Sequence, residues 1–143
     1  MRWPWQKKEL TRDEQAHRAG LWGEDVAARH LSRKGYRLLG QRVRVGTRDE
    51  FDIIARDGNN VLVFVEVKTR KTEEYGRPVS SVNRGKRHSL SRAALRYMKK
   101  LSPRPPYFRF DVVEVVGTED GGDPVVRHLE NAFALEAGYR VYW

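Results

Sequence analysis

The eight residues Val61 to Lys68 are apolar on both sides of an extended chain until Glu66 and Lys68 interrupt one of them. Strand side chains alternate, so Glu66 and Lys68 share a face with Leu62 and Phe64, and Val61, Val63, Val65 and Val67 line the other. A strand apolar on both faces belongs in the middle of a sheet that is covered on both sides. Charge placed there requires a partner or an ion.

The flanking pattern supplies the rest of the elements. Thr11-Arg-Asp-Glu14 has capping-box spacing, which predicts a helix from near Arg12 to about Lys34 with Gly35 as its left-handed stop. Gly20, Glu24, Ala27, Ala28 and Leu31 fall on one stripe, so Glu24 is carried inward; the plainer reading sets it at the stripe's edge beside a basic neighbour. Arg37–Val45 reads as a strand with Arg42 and Arg44 on one face. Asp49–Arg56 reads as a second strand, joined through Asp57-Gly-Asn-Asn60 to the third as an antiparallel hairpin. A polar loop over Thr69–Ser80, with Gly76 and Pro78, leads to a helix over roughly Ser81–Leu101 that ends before Pro103, Pro105 and Pro106. Lys86, Leu90, Ala93, Tyr97 and Leu101 form its inward stripe. Tyr107–Val116, a turn at Glu119–Asp123, a strand near Val125–Leu129 and an aromatic tail Tyr139–Trp143 complete the chain. The order αβββαββ predicts an α/β fold, a mixed central sheet with helices against it. At 143 residues the chain is one domain: an arm over 1–10, a core over 11–116, and a final strand and tail over 117–143.

Composition narrows the chemistry. There is no cysteine, and His17, His30, His88 and His128 are scattered, so thiolate zinc sites and disulfides are excluded. A bound metal is expected to be a hard, oxygen-liking ion such as Mg²⁺ or Mn²⁺. No apolar run reaches the ~20 residues of a membrane span, and the first residues lack the apolar segment of a signal peptide, so a cytoplasmic location with no membrane partner is expected. The net charge of +9 is uneven: residues 29–104 carry twenty basic and seven acidic side chains, net +13, and residues 105–143 are net −4. A basic field confined to one part of the chain suits a polyanion, nucleic acid first; the bland alternative is charge that only keeps the protein dispersed.

Hydrolysis of a phosphodiester with a divalent ion needs carboxylate oxygens for the ion, a cation or base beside the attacking water, and positive surroundings for the phosphate. Asp52 and Glu66 offer the oxygens, the Val67 carbonyl a further ligand, and Lys68 the cation. Geometry sets a condition. Asp52 and Glu66 share a face only if the hairpin has an odd register, with Asp57 opposite Val61, or a bulge of the same effect. Glu50, two residues back, is a secondary acid, equally suited to a solvated strand end. Lys86 at the start of the second helix suits a phosphate contact, or else snorkels to solvent. Arg84, Arg87, Thr69, Arg70, Lys71, Arg42 and Arg44 are candidates for gripping a nucleic-acid backbone. Asp111 beside Arg109 reads as a structural pair. Trp3, Trp5, Tyr142 and Trp143 suit base stacking, or packing onto the domain or a partner.

Glu24 with Ala27 and Leu31, Glu50-Phe-Asp52, Phe64-Val-Glu-Val-Lys68, Gly76, Lys86 and Arg109-Phe-Asp111 together resemble the YraN-like bacterial proteins. These are related to archaeal Holliday-junction resolvases within the PD-(D/E)xK nuclease superfamily, and the resemblance spans about residues 17–115. It implies a restriction-endonuclease-like core, Asp52 and Glu66 at the metal, Lys68 in the catalytic lysine position, Glu24 as a further acid of the site and Lys86 as the second-helix lysine. A symmetric homodimer is implied by the same route. Asp49 departs from the pattern, which has glycine before the glutamate, and an extra acid there is expected to add a ligand or hinder phosphate approach.

Three functions compete on these observations. One is a Mg²⁺-dependent endonuclease for structured or branched DNA, with in-line attack by water leaving a 5′-phosphate and a 3′-hydroxyl. The second is a non-catalytic DNA- or RNA-binding module on the same fold. The third is an assembly factor whose aromatic ends and 69–80 loop hold a protein.

Overall fold

The computed structural model describes residues 3–73 and 82–141. The predicted capping box forms: the Thr11 hydroxyl accepts from the Glu14 N–H at 3.1 Å, and the Glu14 carboxylate accepts from the Thr11 N–H at 2.8 Å. Helix α1 (Arg12–Arg33) follows, and Gly35 at φ +91° ends it, with the Tyr36 N–H turned back to the Leu31 carbonyl at 3.0 Å. Its buried face is Gly23, Val26, Ala27, Ala28 and Leu31. The glycine that lets the helix approach the sheet is Gly23, where a Cβ would stand 2.0 Å from Thr69 Oγ1. Gly20, expected to face inward, has open space around its Cβ direction instead. Neighbouring turns of one stripe point alike, and only the crossing point of helix and strand separates the two glycines.

Five strands follow the expected order around the second helix: β1 (Arg37–Val45), β2 (Asp49–Arg56), β3 (Leu62–Arg70), α2 (Arg84–Lys99), β4 (Phe108–Val116) and β5 (Val125–Phe133). They form one mixed sheet in the order β1-β2-β3-β4-β5, with β3–β4 parallel and every other pair antiparallel. This is the αβββαββ arrangement of the restriction-endonuclease-like core that the resemblance implies. The doubly apolar strand, β3, is central as its pattern requires.

The sheet carries a hydrophobic cluster on each face. Phe51, Ile54, Leu62, Phe64, Phe110 and Val112 pack against Leu90, Ala93, Ala94 and Met98 of α2. Ile53, Ala55, Val63, Val65, Val113 and Val115 pack against Val26, Ala27, Ala28 and Leu31 of α1. The two helices therefore sandwich the sheet, and burial of these side chains, at about 1.5–3 kcal/mol each, is the main force holding the layers.

Three boundaries differ from the pattern. β3 runs to Arg70 because it pairs with β4 as far as Arg70–Val116, so the loop begins after it. β5 continues four residues past Leu129 to Phe133, which pairs with Phe110 across a register shift. α2 starts at Arg84 with Asn83 as its cap, its side chain accepting from the Lys86 N–H at 2.8 Å. Gly76, Pro78, the helix start expected at Ser81, and Tyr142 and Trp143 lie outside the described residues. Among the described residues no helix is long and apolar enough to cross a membrane.

Asp111 and Arg109 pair as expected, inside a larger polar network. Asp111 is fully buried and receives Arg109 Nε at 2.9 Å and the Asn131 N–H at 2.9 Å, with His128 Nε2 at 2.7 Å. Arg109 also reaches Asp57 and the Tyr36 hydroxyl. Burial would raise the Asp111 carboxyl, but the His128 and Arg109 hydrogen bonds hold it below its usual range.

Candidate metal and nucleic-acid site

The β2–β3 hairpin has the odd register. Asp57 Oδ1 accepts from the N–H groups of Asn59 and Val61 at 2.8 and 2.9 Å, an Asx turn that fixes three loop residues, with Asn60 in the left-handed region at φ +64°. Pairing then runs from Arg56–Leu62 to Ile53–Val65 and stops. Asp52 and Glu66 are the next residue on each strand. The backbones part there, and Asp52 Oδ2 takes the strand's place by accepting from the Val67 N–H at 2.8 Å. An acid inserted where the ladder ends opens a fork, and the two carboxyls meet inside it.

Glu66 is 7% exposed, with Lys68 Nζ 3.5 Å and Lys86 Nζ 3.9 Å from its Oε1. Lys86 is thus drawn toward the sheet from the first turn of α2. Burial, then the charge of Asp52, pushes the Glu66 carboxyl up to about 7, against the opposing lysines. Asp52 is also raised, by burial first, although the Val67 N–H, Lys86 and a hydrogen bond shared with Glu66 oppose it. The two acids therefore titrate as a pair that holds a proton near neutrality.

Glu24 of α1 approaches the same fork. Its carboxyl is raised by burial and by Asp52, with Arg42 acting against them. Arg42 was expected to share a face with Arg44, opposite Val43 and Val45. Val43 and Val45 do pack on the α2 side, and Arg42, at φ +50°, stands on the other side with its side chain at 2.8 Å from Glu24 and 3.3 Å from Asp25 of α1. The attraction of two acids offsets the cost of a left-handed backbone at a non-glycine residue. Arg44 stays exposed and donates to the Thr47 carbonyl at 3.3 Å.

Asp49 does not join the site. Arg92 of α2 grips it with two hydrogen bonds of 2.8 and 3.0 Å and so holds its carboxyl below the usual range. The extra acid is thus paired within the fold, with Arg92 of α2. Glu50 is exposed.

The backbone-gripping candidates divide. Thr69 lies farther along β3 than the fork, with its hydroxyl against Gly23, and Lys71 is exposed just past the end of that strand, near Gly117. Arg70 stands near Glu114, a buried acid raised by burial and opposed by Arg127 and Arg70. Arg84 pairs with Glu136 at 3.1 Å, and Arg87 Nε donates to the Val82 carbonyl at 2.7 Å, so both are directed away from the carboxyls. The pattern reading missed Glu114, although an acid amid the apolar run Asp111–Val116 marks it.

The donor set fits a hard divalent ion. With both acids ionised, Glu66 Oε2 is buried without a hydrogen-bond donor, and two raised carboxyls form a pocket short of positive charge. No group of three or more His, Asp or Glu side chains converges on a metal position among the described residues. Two carboxylates, a backbone carbonyl and water satisfy Mg²⁺, which keeps much of its hydration shell.

Glu24, Asp52, Glu66 and Val67 line one end of a cleft of about 720 Å³. Its far side is formed by the first half of α1 and by residues 117–120 after β4.

Comparison with known proteins places the chain. Among solved structures, Pyrococcus furiosus SfsA in complex with Ca²⁺ matches at 15% identity and a TM-score of 0.38, over 82% of this chain and 64% of that one. That likeness is too slight to assign fold or activity. Sequence relatives are much nearer. UPF0102 protein STH1475 of Symbiobacterium thermophilum is 45% identical over 118 residues, 82% of this chain and 98% of that protein. A UPF0102 protein of Trichlorobacter lovleyi is 40% identical over 116 residues, covering 81% and 90%. The model of the family described as uncharacterised protein family UPF0102 matches residues 23–115, from the glycine that seats α1 through the whole fork to β4. The chain belongs to that family, the YraN-like proteins.

Proposed function

We propose that the protein is a divalent-metal-dependent endonuclease that hydrolyses phosphodiester bonds in structured or branched DNA. One observation carries the reading: Asp52 and Glu66 meet in a fork of the sheet beside Lys68 and Lys86, with carboxyls that burial and mutual repulsion leave short of positive charge. A fold alone needs no such pair at the end of its central strands, and perturbed acids in a cleft are a signature of a working site.

Asp52, Glu66 and the Val67 carbonyl would hold Mg²⁺ or Mn²⁺. When bound, such an ion supplies Lewis-acid polarisation of the phosphate and lowers the pKa of water. Lys68, 3.5 Å from Glu66, is placed to orient the attacking water and to hold a proton or balance the charge growing on the phosphate. Lys86 adds positive charge from the helix start, where free N–H groups favour an anion. Glu24, balanced by Arg42, would add a further carboxylate to the site beside Asp52. Lys71, just past the end of β3, stands to meet the backbone leading away.

The test is incubation with branched, nicked and linear DNA plus Mg²⁺, with Asp52→Ala and Lys68→Ala as controls. Cleavage is expected from the wild type and a loss of about 10²-fold or more in each variant. No cleavage, or cleavage unchanged in the variants, contradicts the proposal and leaves a binding module on the same fold.

A further inference from the structure

The cleft runs well beyond the carboxyls. At about 720 Å³ it falls in the size range of sites that enclose small molecules, and a duplex does not fit inside such a volume. Its two ends differ in chemistry. The floor is Asp52 and Glu66; the wall opposite is an apolar strip of α1 made by Ala16, Ala19, Gly20 and Trp22.

Gly20 is the informative position. It lies inside a helix, where glycine is unfavourable relative to alanine. Space does not require it, because nothing stands within 4 Å of a Cβ built there. That distinguishes it from Gly23, one turn on, where Thr69 leaves no room. What a side chain at Gly20 would occupy is the cleft itself. Beside it Trp22 is half-buried, with the far end of its ring near Gly117, where a Cβ would come within 3.7 Å. The indole is therefore held in place while part of it borders the cleft.

Charge selects the occupant. A phosphate is wanted at the floor, where Lys68 and Lys86 approach Glu66; Lys71 stands at the other end, one residue past Arg70, whose carbonyl accepts from the Gly117 N–H. The opposite rim, at the turn after β4, carries Glu119 and Asp120, with Glu119 tied across the mouth to Arg18 of α1 at 3.0 Å. The rim, with Arg18 and Lys71 against Glu119 and Asp120, is balanced in charge and gives a second strand's phosphates no net attraction, whereas a base, uncharged and flat, suits an apolar wall.

Resting on the nuclease reading above, we propose that this cleft receives one unpaired nucleotide next to the phosphate held at Asp52 and Glu66, its base against the Gly20–Trp22 wall. The substrate class is then DNA with an unpaired strand at the point of attack, such as a tail or flap. Stacking on an aromatic side chain tolerates any base, so the selection is for the unpaired state and not for sequence.

The test compares binding of a blunt duplex with the same duplex bearing a single-stranded tail, in Ca²⁺, with 2-aminopurine in the tail as a fluorescent probe. The expected result is at least about tenfold tighter binding of the tailed form, with quenching of the probe as it stacks on the indole. Gly20→Leu, which fills the cleft, should abolish the preference while leaving blunt-duplex affinity and Mn²⁺ binding as in wild type. Gly20→Ala, which does not fill it, should keep the preference. Equal binding of blunt and tailed DNA, or a preference that survives Gly20→Leu, overturns the proposal. Mn²⁺ titration of the wild type separates the two readings. A protein that prefers tails but binds no Mn²⁺ refutes the metal site and sustains the cleft, and the reverse outcome does the opposite.

Discussion

Glu66 is the residue where stability and function pull apart. Its folded-state pKa of about 7 lies above the 4.5 of an unconstrained glutamate. It therefore favours the folded chain below pH 4.5, and that contribution is lost as pH rises through about 7. Ionised Glu66 works against folding at pH 8. Replacing it with Gln should raise stability at pH 8 by about 2 kcal/mol, several degrees in Tm, with little change near pH 4. A Glu66→Gln melting temperature that is unchanged or lower at pH 8 contradicts this view of the pair. Asp111 makes the opposite case, since its carboxyl is depressed by the groups around it. Its contribution is present above the ordinary carboxylate range and lost as pH falls through the lowered value. Asp111→Ala should cost about 3–5 kcal/mol by denaturant unfolding, because Arg109 and His128 would be left buried without it. A cost under about 1 kcal/mol would show that Arg109 finds enough in Asp57 alone. The pairing of Asp111 with Arg109 is legible from their alternation on one strand. The arrival of His128 and Tyr36 is not, because it depends on how β5 and the end of α1 fold back.

The elements show why some positions could be read from the chain and others could not. The odd register of the hairpin is written locally: Asp57, Asn59 and Asn60 have the chemistry of a three-residue loop, and the register carries Asp52 to Glu66. β3 and the first helix cap are equally local. Arg42 is different. Strand alternation gives its face, opposite Val43 and Val45, but neither its left-handed backbone angle nor the two acids of α1 that meet it there. Asp49 likewise looked free until Arg92, forty-three residues on, lay across from it. The two glycines of α1 put this contrast to direct measurement. Gly20→Ala should stabilise by up to about 1 kcal/mol, the ordinary gain of alanine in a helix. Gly23→Ala should destabilise by about 1–3 kcal/mol, since a Cβ there drives α1 from β3 at Thr69. Urea unfolding of both variants decides it, and equal effects would contradict the assigned crossing point.

At the scale of the molecule, among the described residues, two helices clamp a five-stranded sheet whose central hairpin splits at one end, and the basic segment supplies Lys68 and Lys86 to that split. Residues 29–104, net +13, contribute Lys68, Lys71 and Lys86, while the acidic final segment contributes the rim at Glu119 and Asp120. Binding to DNA should accordingly weaken by about tenfold or more between 50 and 200 mM salt, as counterions compete for the phosphates. Affinity flat across that range contradicts a backbone-gripping role for these cations. The most direct test of the central claim is a crystal grown or soaked with Mn²⁺ and read by anomalous scattering. The fork predicts one peak within bonding distance of both Asp52 and Glu66, absent from Asp52→Ala. Density only elsewhere on the surface, or none at all with both carboxyls ordered, contradicts it.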